Sequence, residues 1–337
     1  MAIVRTRTQW IILVGGLVLL FALPTFAGPR VITLGNLIGI SVISVLGLNI
    51  LTGYCGQISL GQAAFMAVGA YTQAMLTVHL KWPFWAALPV SGVVAAIVGL
   101  VFGTPSLRVK GFYLAMATLA AQFVVPWMIV NVKPDITGGI HSFRVPAPAL
   151  GGGLVLNTQT EMFYVIIPIA VIMTFFAKNI VRTRVGRAFV AIRDNDLAAE
   201  VMGVNVFRYK LLAFAICSFY AGIAGALWAH WMRNIAPTHF HLVDSIWYLG
   251  MLIVGGIGST TGAVFGAVFI RTLDLSVSLL SPWVSSTFPA IGGQASAALS
   301  PLLFGLAILL FILFEPRGLY HRWEIFKAAY RLHPYSH

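Results

Sequence analysis

An all-α, polytopic membrane bundle of about ten transmembrane helices is the fold class this sequence predicts, and three observations predict it. Charged residues fill 9% of the 337 positions, against roughly a quarter in an ordinary soluble domain. Apolar residues fill 59%, and they gather into continuous runs long enough to cross a bilayer as helix. Lysine and arginine cluster in particular connections instead of spreading evenly. A water-soluble fold of this size could not cover its surface with so few charges, which excludes a soluble enzyme and a disordered chain. The formal net charge of +12 reads as cytoplasmic loops facing anionic headgroups of the lipid bilayer, with no nucleic acid as partner. Continuous rather than alternating runs argue against a transmembrane barrel. The two cysteines, Cys55 and Cys217, lie in or near apolar stretches and read as buried thiols, not as a disulfide framework.

A spanning helix needs about 20 apolar residues. On that basis the spans fall at approximately 10–27, 31–51, 60–80, 85–103, 112–131, 161–177, 211–231, 243–257, 261–280 and 295–314. The first follows Arg5 and Arg7 and has two readings. It is either one arm of a helical hairpin, with Pro24 near its end, or a cleavable signal peptide ending at Thr25-Phe26-Ala27, which would leave nine spans. Between the second and third spans, Tyr54, Gln57, Ser59 and Gln62 interrupt the apolar pattern, and Gly53, Gly56 and Gly61 let the backbone unwind or pack closely. With Asn49, which lies one to two turns earlier, Gln57, Ser59 and Gln62 are candidates to line a translocation pathway through uncharged hydrogen bonds. A tight turn whose polar groups satisfy one another is the alternative, and the two are compatible.

Two connections are long. Residues 132–160 are rich in Gly and Pro and are expected outside. Residues 178–210 hold seven basic residues and are expected in the cytoplasm. With a cytoplasmic N-terminus, fifteen Lys and Arg fall on the inner face and five on the outer, and Arg271 lies within a span. An even span count then places both termini in the cytoplasm. The chain reads as one transmembrane domain over 1–337.

Within the cytoplasmic connection, 187–193 can form two helical turns, and Asp194, Asn195 and Asp196 offer N-caps for a second short helix. Asp196 and Glu200 suit its positive end. Gly203 is a natural stop, with Asn205 able to take a left-handed conformation. Leu197, Ala198, Val201 and Met202 give this helix an apolar face that something must cover. Gly258, Gly262 and Gly266 recur every four residues, as do the pairs Gly35/Gly39 and Gly99/Gly103, a spacing that suits close helix packing. Arg271 and Asp274, three apart, read as an ion pair near a membrane boundary. His239 and His241, with His230 and Asp244 nearby, read as interfacial rather than as metal ligands, so no metal site is expected.

The segments Gly186-Arg187-Ala188, Ala191-Ile192-Arg193-Asp194, Ala198-Ala199-Glu200 and Gly203-Val204-Asn205 resemble the cytoplasmic loop of branched-chain amino-acid ABC transporter permeases of the LivM type. Tyr209-Lys210-Leu-Leu-Ala-Phe214 and Ala221-Gly-Ile-Ala-Gly-Ala226 continue the resemblance. So do Gly53-Tyr-Cys-Gly-Gln-Ile-Ser-Leu-Gly-Gln-Ala-Ala-Phe65, Gly69-Ala-Tyr71 and Gly255-Gly-Ile-Gly-Ser259. It covers roughly 30–318. Thr137-Gly-Gly139 is similar to the family's external segment, whereas Ile140 to Arg144 departs from it. The resemblance implies a membrane subunit of an ATP-driven importer in the bacterial inner membrane. Its partners would be two cytoplasmic ATPase subunits, a second homologous permease and an external solute-binding protein. It also implies that Arg187, Arg193, Asp194, Asp196, Glu200 and Gly203 couple this chain to the ATPase. No G-x-x-x-x-G-K-[ST] phosphate loop occurs. The chain is therefore expected to be no enzyme and to bind no cofactor, with ATP and Mg held by the partner subunits. An ion-gradient-driven secondary transporter is the alternative. Such a protein usually needs a titratable group near mid-membrane, and outside the Arg271/Asp274 region the spans lack central carboxylates.

Overall fold

The computed structural model describes residues 7–104, 112–149, 155–287 and 292–332. Arg5, Arg108 and Lys110, three of the basic residues used to orient the chain, lie outside them. The described residues form an all-α protein whose helices follow the predicted spans. α1 covers Arg7–Phe26. α2, Pro29–Leu48, starts on a proline at its first turn, where the missing N–H costs nothing. After Leu48 it widens into a π-helical turn, Asn49–Tyr54, and the chain then runs without helix until α3, Gln62–Val78. α4 (Phe84–Gly103), α5 (Phe112–Asn131) and the single turn α6 (Pro134–Thr137) follow. α7, Gln159–Arg182, is started by a reciprocal cap between Thr158 and Glu161. α8 (Arg184–Asp194) and α9 (Asp196–Val201) form an elbow before α10, Val206–Met232. α11 (Leu242–Gly255), α12 (Thr260–Thr287), α13 (Gly292–Phe314) and α14 (Gly318–Leu332) complete the chain. The two strands among the described residues, β1 (Phe143–Arg144) and β2 (Asn234–Ile235), pair antiparallel and clip the 132–160 connection to the end of α10.

α10 is the axle of the bundle and packs on α3, α4 and α2. Small residues set the approach. A Cβ at Gly69 of α3 would sit 2.2 Å from the Gly222 carbonyl oxygen, and one at Gly225 of α10 would sit 2.0 Å from that of Met66. α2 lies on α7 through Gly35 and Gly39, against Phe163 and Ile166. α4 lies on α10 through Gly99 and Gly103, against Ser218 and Phe214.

Each of the ten predicted spans falls on a helix, but the helices are not of equal reach. Among the described residues, six are long and apolar enough to cross a membrane, and a seventh is possible if α13 and α14, bent by 48°, act as one. α3 with 17 residues and α11 with 14 reach only about 26 Å and about 21 Å, short of a hydrocarbon core of about 30 Å. α3 begins inside the bundle, beside the unwound 55–61 stretch, whereas α11 follows the 237–241 loop with His241 and Val243 exposed.

A candidate coupling and translocation site

The chain reverses sharply between α7 and α8. A Cβ at Gly186 would lie 2.1 Å from the Val181 carbonyl oxygen, so glycine is what lets the turn close. α8 then buries Phe189 and Ile192 against the bundle and leaves Arg187 exposed. Of the three capping candidates, Asn195 does the work, its Oδ1 accepting from the Ala198 N–H at 3.1 Å. α9 ends with the Gly203 N–H donating to the Glu200 carbonyl (2.9 Å) and the Val204 N–H to that of Ala199 (2.9 Å), with Gly203 at φ +84°. Because Gly203 already supplies the left-handed residue, Asn205 does not adopt that conformation. At φ −75° it caps α10, accepting from the Arg208 N–H at 3.0 Å. Asp196 pairs with Lys210 at 3.5 Å and ties α9 to α10.

This two-sided closure fixes a helix with an uncovered apolar face. Leu197, Val201 and Met202 are 66%, 86% and 82% exposed, and Ala199 points inward. Glu200 is exposed on the same short helix.

Arg193, at the end of α8, reaches into the bundle. Its Nη1 donates to the Gly53 carbonyl at 3.1 Å, while Nε and Nη2 hold Asp194 Oδ1 at 3.1 and 3.0 Å. The room for this arm comes from Gly56 (φ +73°), where a Cβ would lie 2.8 Å from Arg193 Cγ. Gly258 (φ +80°) approaches from the other side and donates its N–H to Asn49 Oδ1 at 2.9 Å. α8, the π-helical turn and the turn before α12 thus meet on one guanidinium. Gly258 is therefore a turn glycine and not part of a helix-packing stripe. The α11–α12 crossing is made by Gly262 and Gly266, whose Cβ atoms would lie 2.7 Å from the Gly255 oxygen and 1.8 Å from the Met251 oxygen.

The four polar pathway candidates separate. Asn49 is buried and engaged by Gly258. Ser59 is buried and accepts from the Gly61 N–H at 3.3 Å. Gln62 is buried and donates to Ser44 (2.9 and 3.0 Å), while its Oε1 accepts from Cys217 Sγ at 3.2 Å. Gln57, by contrast, lines a cleft of about 350 Å³ with Cys55, Arg193, Asn195 and Lys210, and its Oε1 has no hydrogen-bond partner among the described residues.

Sequence reasoning missed the residues that make the buried start of α3 possible. A helix start inside the bundle leaves N–H groups to satisfy. The Ala63 N–H donates to Ser245 Oγ (2.9 Å) and the Ala64 N–H to Gln122 Oε1 (3.0 Å), while Gln122 Nε2 donates to the Phe240 carbonyl at 2.7 Å. The signal was available as a buried-type amide in the apolar run of α5. Gln122→Leu strands these groups. It is expected to cost about 2–3 kcal/mol, read as a lower unfolding midpoint of the purified protein.

Arg271 and Asp274 do not pair. Arg271 Nε donates to Ser41 Oγ at 2.8 Å, and Asp274 accepts from Ser300 Oγ at 2.5 Å. Each finds a nearer partner on a neighbouring helix than on its own. Of the histidines, His230 contacts Gln73 (3.1 Å) and the Pro146 carbonyl (3.1 Å), and His239 packs edge-on against Trp228. Burial holds the His239 imidazole below its ordinary range. No group of three or more His, Cys, Asp or Glu among the described residues could hold a metal ion.

Comparison with known proteins gives the family of the chain. The family model described as "Branched-chain amino acid transport system / permease component" matches residues 30–313. The chain is 32% identical over 288 residues to the high-affinity branched-chain amino acid transport system permease protein LivM of Escherichia coli, covering 79% of this chain and 68% of that protein. It is 23% identical over 289 residues to the ribose import permease protein RbsC of Haemophilus influenzae, covering 82% and 86%. A solved structure, PsaBC from Streptococcus pneumoniae in complex with Fab, aligns over 91% of this chain and 99% of its own, at 14% identity and a TM-score of 0.44.

Proposed function

The chain belongs to the permease-component family of branched-chain amino-acid transport systems, and on that premise we propose that it is one membrane subunit of an ATP-driven ABC importer. Its solutes are branched-chain or related amino acids, delivered by an external binding protein. A second, homologous permease completes the pathway. Two cytoplasmic ATPase subunits, which bind ATP and Mg, drive alternating access. In this reading the ten helical segments cross or enter the inner membrane and both termini are cytoplasmic. α8 and α9 are the docking element, with Arg187, Arg193, Asp194, Asp196, Glu200 and Gly203 in it. Gln57 lines the inner mouth of the path, while Asn49, Ser59 and Gln62 hold its walls.

The observation that carries this reading is α9. A six-residue helix does not persist alone in water, yet this one is capped at both ends and keeps three large apolar side chains in the open. Such a face suits a groove on another protein, and the adjacent charges suit orientation of the contact.

The test is ATP hydrolysis and leucine uptake by the reconstituted complex. Glu200→Lys and Met202→Asp are each expected to lower stimulation by the liganded binding protein at least fivefold and to weaken co-purification of the ATPase. Full stimulation in both variants would remove α9 from the docking role. Gradient-driven uptake by this chain alone would replace the importer reading with a secondary transporter.

A further inference from the structure

A second cleft, of about 460 Å³, opens between α2, α3, α10, α11 and α12. Its walls include Met66, Trp228 and Tyr248, and both Asp244 and Arg271 line it. α12 starts at Thr260, close to the α8 end of the bundle. Arg271 is eleven residues further on, about 16 Å along the helix and near half of a hydrocarbon core. A guanidinium at that depth is costly and marks function by default. Its position is fixed, because Nε is held by Ser41.

The opposite charges share the cleft and attract each other across it, but they form no ion pair. The ion pairs among the described residues join Arg193 to Asp194, Lys210 to Asp196 and Arg322 to Glu315, and none involves Arg271 or Asp244. Asp244 Oδ2 accepts from the His241 N–H at 2.9 Å and so is anchored to its own helix start. His239 and His241 also line the cleft. A positive and a negative group, each anchored and facing one cavity, are what a small solute carrying both charges would bridge. An uncharged solute would leave both groups desolvated and unmatched.

We propose that this cleft holds the charged end of a zwitterionic α-amino acid in transit, with Arg271 meeting the carboxylate, Asp244 the ammonium, and Met66, Trp228 and Tyr248 the side chain. This rests on the transport reading above and gives the permease its own solute contact, separate from any external binding protein.

Val243 lines the cleft and is exposed, while both native cysteines are buried. The full complex in proteoliposomes, carrying Val243→Cys, is therefore treated with a water-soluble thiol reagent without ATP. Millimolar leucine is expected to slow labelling at least fivefold. 4-Methylpentanoate, which lacks the ammonium, and isoamylamine, which lacks the carboxylate, should slow it less than twofold. Equal slowing by either analogue overturns the proposal. So does no slowing by leucine, or a cysteine that never labels, since a transit site must be reached from water. In the same complex, Arg271→Gln is expected to cut ATP-driven leucine uptake at least tenfold and Arg271→Lys to cut it less, with ATPase co-purification retained. Uptake by Arg271→Gln within twofold of wild type overturns the proposal. A wild-type complex that takes up no leucine with ATP counts instead against the importer reading, which the ATP-free labelling keeps separate.

Discussion

Valine at Gly225 is expected to lower the unfolding midpoint of the detergent-purified protein by about 4 °C or more, corresponding to about 3 kcal/mol. The same change at Gly305 should shift it by less than about 2 °C. The difference is local geometry. At Gly225 the first added carbon would meet Met66 backbone atoms at 2.0, 2.7 and 3.0 Å, and backbone cannot rotate away. At Gly305 nothing lies within 4 Å. The clash would be relieved only by moving α3 off α10. That movement would pull apart the Gln62–Cys217 and Gln73–His230 contacts that join the same two helices. Gly69→Val attacks the seam from the other side, with the Gly222 oxygen 2.2 Å from the added carbon, and is expected to behave alike. Midpoints within about 1 °C of wild type for both variants would mean that the α3–α10 seam is not what holds the bundle together.

Much of this architecture was legible because membrane helices announce themselves by continuous apolar length, and every predicted span coincides with a helix. The short α9 was legible from its punctuation: Asn195 before it and Gly203 after it. Reach was not legible. Residues 60–80 and 243–257 read as ordinary spans, yet α11 has only 14 residues and α3 starts within the bundle. Starting there requires partners from distant sequence, namely Ser245 and Gln122 for the N–H groups of α3. Periodicity likewise misjudged Gly258. Spacing of four is necessary for a packing stripe but cannot distinguish a helical glycine from one at φ +80° in a turn. The Arg271–Asp274 pair failed for a related reason. Three-residue spacing puts two side chains on one face, but Ser41 and Ser300 on neighbouring helices claim them. Sequence spacing ranks partners within a helix and is blind to those that tertiary packing brings closer.

Arg193→Ala is expected to reduce ATP-driven leucine uptake by the reconstituted complex at least tenfold while the ATPase subunits still co-purify. The docking helix α9 would keep its own supports, the Asn195 cap, the closure at Gly203 and the Asp196–Lys210 pair. What disappears is the side-chain hydrogen bond joining α8 to the π-helical turn at the Gly53 carbonyl. A charge-assisted hydrogen bond to a carbonyl left over by an irregular helix is strong and directional. Because Gly258 packs on the same turn through Asn49, a displacement of α8 reaches both α2 and α12 by this route. Lysine at 193 can donate to one carbonyl but cannot also hold Asp194 with a planar fork, so Arg193→Lys is expected to recover only part of the loss. Gly56→Ala provides an independent check, since it strains φ +73° and pushes a carbon to 2.8 Å from Arg193 Cγ without touching the guanidinium. It should reproduce the uptake defect in milder form. Arg193→Ala transporting leucine within twofold of wild type would show that motion passes from α8 to the bundle through apolar packing at Phe189 and Ile192 and not through this arm.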